Sequence, residues 1–125
     1  MEIVSSSLAP QPKVPLSQAV KSGNLVFVSG ITPFTLTLEL AVGDFDKQMK
    51  QTMENVGAIL RAAGTDFDRV LKTTVILARR DDWRRMNEIY SSYFPSGRFP
   101  ARTAYGAPLP HPDFLVEVGC VAEVS

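Results

Sequence analysis

A chain of 125 residues with 45% hydrophobic and 21% charged side chains has room for one domain with a true core. Thirteen basic and thirteen acidic residues cancel to a formal net charge of zero, which speaks against the basic field that nucleic-acid binding needs. Cys120 is the single cysteine, no stretch has the layout of a signal peptide, and no apolar run approaches the ~20 residues of a membrane span. A soluble cytoplasmic protein is expected, with neither nucleic acid nor membrane as a partner.

Residues 1–16 are rich in Ser and Pro and predict an irregular arm, with at most a short strand at Ile3-Val4. Gln18 to Lys21 reads as a strand, and Gly23-Asn24 as the turn after it. Leu25 to Gly30 is continuously apolar and β-prone, as expected of a strand covered on both faces. Residues 31–43 predict a loop. Asp44 is a candidate N-cap, and Phe45, Met49, Thr52, Met53, Val56, Ile59, Leu60 and Ala63 repeat at helical spacing before Gly64. A helix is therefore expected over about 45–63.

Val70 to Ala78 alternates as a strand, with Leu71, Thr73, Val75 and Leu77 on one face. Asp81 or Asp82 is expected to cap a second helix, on which Trp83, Met86, Tyr90 and Tyr93 form a stripe. The arginines at 79, 80, 84 and 85 are interrupted by Asp81 and Asp82 and read as a solvated helix start. Strands at about 100–106 and 114–122 follow, joined by the link Pro108-Leu109-Pro110-His111-Pro112. The order β-β-α-β-α-β-β predicts a mixed α/β (α+β) layer fold in a single domain over 1–125, with two helices on one face of one sheet. Two helices cover only one face, yet Leu115 and Val121 turn away from Val116, Val118, Cys120 and Ala122. A homo-oligomer that covers the second face is expected, and a site between subunits with it.

Two residues stand out chemically. Arg102 lies in Phe99-Pro100-Ala101-Arg102-Thr103-Ala104-Tyr105, where Pro100 favours extended backbone. Its planar guanidinium suits a bidentate carboxylate clamp, against the alternative of an ordinary surface arginine. Glu117 interrupts the apolar run from Leu115 to Ala122 and suits a general base or a water-orienting carboxylate, against a rim glutamate in an ion pair. Gly119 shares its face and is expected to leave room beside it. Cys120 reads as a small core residue. His111 has no second His or Cys at ligand spacing, so no metal site is expected. Ser29 has no hydrolase elbow around it, and Gly30 permits close backbone approach to a ligand. Asn87 and Tyr105 taken alone read as an exposed amide and a packing residue. The residues themselves lead to an oligomeric α/β domain with a candidate Arg/Glu pocket for a small anion.

Taken in order, several segments resemble the YjgF/Rid family of reactive-intermediate deaminases. They are Pro15-Leu16-Ser17-Gln18-Ala19, Val26-Phe27-Val28-Ser29-Gly30, Gly43-Asp44-Phe45 with Gln48, Asn55 before Leu60, and Ala62-Ala63-Gly64. They continue with Val70 to Val75, Met86 to Tyr90 with Tyr93-Phe94, Pro100-Ala101-Arg102, and Val116-Glu117-Val118. The resemblance implies a chorismate-mutase-like fold assembled as a homotrimer with clefts between subunits. It implies cofactor-free hydrolysis of 2-imino or enamino acids to 2-oxo acids and ammonia. By the same resemblance Arg102 binds the substrate carboxylate, Glu117 helps hold and activate the attacking water, backbone groups near Gly30 and Ala104 line the cleft, Asn87 lies close by, and Ser29 and Leu16 are further substrate-binding candidates. Leu16 stands where many deaminase members have Tyr, Ile31 where Gln is usual, and Ala104 where Cys is frequent. Two other readings stay open at this point: a non-catalytic trimer that binds a 2-oxo acid or amino acid, and a pathway-specific deaminase of aromatic or pyrimidine degradation. A ribonuclease-like role has the zero net charge against it.

Overall fold

The computed structural model describes residues 1–124. Strands β1 (Glu2–Val4), β2 (Ala19–Ser22) and β3 (Leu25–Ile31) precede helix α1 (Phe45–Ala62). Strand β4 (Val70–Leu77), helix α2 (Trp83–Ser91), β5 (Ala101–Gly106) and β6 (Val116–Glu123) complete the chain. The arm read as irregular thus begins with a strand, which pairs antiparallel with β2. The rest of it is tied down by Gln18, whose buried amide accepts from Ser6 N at 2.6 Å and donates to Pro10 O at 3.0 Å.

The six strands form one sheet in the order β1-β2-β3-β6-β4-β5. All pairings are antiparallel except β4 with β5, which run parallel and leave β5 at the sheet edge. This is the chorismate-mutase-like layer arrangement, with both helices packed on one face. The core lies between Val26, Val28, Val75, Leu77, Val116 and Val118 of the sheet and Met49, Met53, Val56, Ile59, Leu60, Met86 and Tyr90 of the helices.

Helix α1 starts where Asp44 Oδ1 accepts from Lys47 N at 3.1 Å. It ends in a Schellman pair: Thr65 N donates to Leu60 O and Gly64 N to Arg61 O, both at 3.0 Å, with Gly64 at φ +89°. The start of α2 departs from expectation. Asp82 occupies the N-cap position but caps no backbone N–H. A 3-10 turn over Arg80–Asp82 leaves it at φ −84°, ψ −1°, and its carboxylate takes Arg79 Nε at 2.8 Å instead.

Two buried amides of α1 hold the connecting segments. Gln48 Nε2 donates to Ala41 O and Asp113 O, and Gln48 Oε1 accepts from Leu115 N, at 2.8–3.0 Å. Asn55 Nδ2 donates to Thr32 O and Phe34 O at 3.1 and 2.8 Å. Loop 31–43 is therefore fastened to the helix layer at both ends.

The face of the sheet away from the helices is open. Phe27, Thr74, Ile76, Glu117 and Val121 lie on it around a hollow of about 340 Å³. Phe27 is 44% exposed although it lies in the apolar run Leu25 to Val28 of β3. Tyr105, at the register of Ile76, shares this face and is also exposed.

Candidate functional site

The predicted site residues fall into two groups, not one. Strands β5 and β6 are separated by β4. Arg102 is level with Thr73 of β4 and shares its helix-side face, whereas Glu117 is level with Ile76 and faces the open side. Three residues along β4 and two strand spacings put their Cα atoms on the order of 14 Å apart, on opposite faces. Within one chain the candidate Arg/Glu pocket is therefore not formed. Register decides it: the pair would have to be neighbours of equal parity, and they are neither.

The first group gathers on the helix side at the sheet edge. Arg102 Nη1 donates to Asn87 Oδ1 at 2.7 Å and lies 3.6 Å from Met86 Sδ. Its Cζ stands 5.1 Å from the Tyr90 ring centroid and 5.8 Å from that of Trp83. The Tyr90 hydroxyl is in turn hydrogen-bonded to Thr73 Oγ1 at 2.8 Å, which fixes the ring beneath the guanidinium. Nε and Nη2 of Arg102 have no partner among the described residues, so one fork-shaped edge of the guanidinium is free. Ala104, two residues on, packs against the core below. Asn87 is thus a direct partner of Arg102, beyond the nearby position expected for it.

The second group lies on the open face. Glu117 is half-buried in the hollow and makes no hydrogen bond or ion pair among the described residues. Burial pushes its carboxyl above the ordinary value of 4.5. Its carboxylate lies against Gly30, where an added Cβ would stand 2.6 Å from Oε2. Gly30 therefore makes room beside the carboxylate, and Gly119 lines the same hollow. A Cβ on Gly119 would meet Val28 O and Ser29 O at 3.2 and 3.3 Å instead, where β3 bulges between Val28 and Ile31. Ser29 Oγ donates to Ser17 O at 2.6 Å and so ties the Leu16-Ser17 segment to β3. Leu16 itself is exposed.

The remaining candidates have structural places. Cys120 faces the core, and burial pushes its thiol up to about 12. His111 stacks on Phe114 with ring centroids 4.9 Å apart and accepts from Asp113 N. Three of the four arginines near α2 are paired: Arg79 with Asp82, Arg84 with Glu88, and Arg85 with both Asp46 and Glu88. Residue-by-residue reading missed Trp83 and Tyr90 as partners of Arg102. Their signal was an aromatic pair seven residues apart with Asn87 between them on one helix face.

The family model described as Endoribonuclease L-PSP matches residues 6–124. The chain belongs to the endoribonuclease L-PSP (YjgF/Rid) family. Among its relatives, a RutC family protein of Pyrococcus horikoshii is 39% identical over 97% of this chain and 96% of its own length. The 2-iminobutanoate/2-iminopropanoate deaminase of Homo sapiens is 43% identical over 82% of this chain and 75% of its own. Among solved structures, E. coli TdcF with bound serine superposes with a TM-score of 0.93 at 31% identity, covering all of both chains. The family fold is thus present from end to end.

Proposed function

We propose that this family member is a hydrolytic deaminase that converts reactive 2-imino and enamino acids to 2-oxo acids and ammonia. It would work in clefts between the subunits of a homotrimer, the assembly that the family resemblance implies. Support comes from relatives named as 2-iminobutanoate/2-iminopropanoate deaminases that match more than four-fifths of the chain. The observation that carries the reading is the division of labour between two incomplete half-sites. One offers a guanidinium with a free fork and the other a carboxylate without a partner. The open face carries exposed apolar side chains and needs a cover, so a second copy would bring the two halves together.

The chemistry asks little of such a cleft. The free Nε–Nη2 edge of Arg102 takes the substrate carboxylate side-on. A protonated imine carbon is electrophilic enough for water to attack it directly. Glu117 accepts a proton from that water as the C–O bond forms, which yields a carbinolamine. The proton then passes to the amine nitrogen, ammonia leaves as the C–N bond breaks, and the carbinol O–H gives its proton back to Glu117 as the C=O of the 2-oxo acid forms. A carboxyl raised by burial is a stronger base than one in water, which suits this role. Small-molecule carboxylates are thus the proposed partners. Nucleic acid is not, since the formal net charge is zero and three of the four arginines near α2 are paired with acidic neighbours.

The test generates 2-iminopropionate with an amino-acid oxidase and traps it with semicarbazide. Added protein is expected to lower the trapped product, and R102A to lose that effect. Equal trapping with wild-type protein and with none would overturn the proposal. Binding of a 2-oxo acid without any turnover would instead select the non-catalytic reading.

A further inference from the structure

The only tryptophan of the chain stands at the first position of α2 and is 41% exposed. Burial is not what holds an indole there. Its ring centroid lies 5.8 Å from Arg102 Cζ, and the Tyr90 ring, seven residues later, lies 5.1 Å from the same carbon. Seven residues along a helix span about 10.5 Å, so the guanidinium sits roughly midway between the two rings. Asn87 meets it from the helix side, on Nη1 alone.

An unbraced arginine samples many orientations, and each capture of a carboxylate must first freeze them. Here the orientation is set before any ligand arrives. The geometry points to Trp83 as a positioning residue for Arg102: with Tyr90 it forms a two-ring slot that turns the Nε–Nη2 edge outward for a carboxylate. This inference rests on the reading that Arg102 binds the substrate carboxylate. The two rings differ in what else they do. Tyr90 is buried and moored to Thr73, so it belongs to the core as well. Trp83 is the solvent-facing wall, and it can be exchanged without opening the interior. Indole is also the strongest of the aromatic partners for a cation.

A carboxylate held by Arg102 is held in the ground state and in the transition state alike. Loss of the slot should therefore weaken binding and leave the chemical step nearly unchanged. The test uses full-length W83A, W83L and W83F. KM and kcat are measured with 2-iminopropionate generated in situ, and binding of 2-oxobutanoate is measured by calorimetry. W83A and W83L are expected to raise KM and the 2-oxobutanoate Kd about five- to tenfold, with kcat within about twofold, while W83F restores most of the affinity. W83L keeps the bulk and loses the π face, so it separates the slot from mere packing even if W83A folds poorly. On the R102A background the Trp83 substitution should cost nothing further, because the residue acts through Arg102. If wild-type protein hydrolyses the imine but W83L binds 2-oxobutanoate as tightly as wild type, the positioning role is overturned alone. An additive loss in the double variant overturns it likewise. If wild-type protein neither hydrolyses the imine nor binds 2-oxobutanoate, the deaminase reading falls and takes this inference with it.

Discussion

The Glu117 carboxylate rests directly on Gly30: a methyl group there would stand 2.6 Å from Oε2 and 2.8 Å from Cδ. The neighbour is the far end of a side chain, not backbone, so it can swing away. G30A is therefore expected to fold with a melting temperature close to that of wild type. The carboxylate is displaced, however, and kcat should fall toward the value of a Glu117 variant. Rates and thermal melts on the same preparation check this. A fully active G30A would show that the position of the carboxylate does not matter.

Glu117→Gln keeps the shape of the side chain and removes its basicity. The expected loss is about a hundredfold in kcat with little change in the affinity for 2-oxobutanoate. In wild type the acid limb of the rate profile should lie above pH 4.5, since burial raises this carboxyl and the base must be ionised to act.

The same shift has a consequence for stability. A carboxyl whose folded pKa exceeds its unfolded value contributes stability in full below the unfolded pKa, and loses it as pH rises through the folded one. Ionised Glu117 is thus a cost to the fold at neutral pH, and E117Q does not bear it. The variant is expected to melt above wild type at pH 7, and the gap should close toward pH 4 or so. A gap that widens on acidification would contradict the assignment.

Arg102 and Glu117 lie on opposite faces of one sheet, so the proposed cleft would have to draw them from separate chains. R102A and E117Q should each be nearly inactive. Refolded together at equal ratio, they should recover about one quarter of wild-type activity, because random assembly of a closed ring pairs an intact Arg102 with an intact Glu117 in that share of clefts. Recovery after co-refolding, with none on simple mixing of stable assemblies, is the measurement. R102K should not substitute for arginine, since an ammonium cannot present a fork.

Gln48→Leu strips three hydrogen bonds from a fully buried position and leaves the carbonyls of Ala41 and Asp113 and the Leu115 N–H without that partner. A cost of about 3 kcal/mol or more is expected, read as a lower urea midpoint with an unchanged slope.

What the sequence made legible was local. Asp44, the apolar repeat and Gly64 marked both ends of α1, and alternation placed Glu117 correctly on the face opposite Val116 and Val118. Periodicity along one strand says nothing about which strand lies beside it. That β6 enters between β3 and β4, and that β5 runs parallel on the outside, depends on long-range pairing. That Arg102 and Glu117 do not meet within one chain was therefore not legible in the sequence. The contact of Gly30 with the Glu117 carboxylate was hidden for a related reason, because the bulge after Val28 depends on a strand distant in sequence. The stripe of Trp83, Met86 and Tyr90 was visible, but a helical stripe normally means core. Only the register of Arg102 with Thr73 turns part of it into a cradle.

Residues 31–43 read as a loop in the sequence, and Gln48 and Asn55 rivet its two ends to the most deeply packed helix. The bonds at Thr32, Phe34 and Ala41 hold both ends of the loop, so they do not serve as hinges for a lid. Product departure would then be governed by how tightly the 2-oxo acid is gripped, and a slow opening phase after a rapid first turnover is not expected.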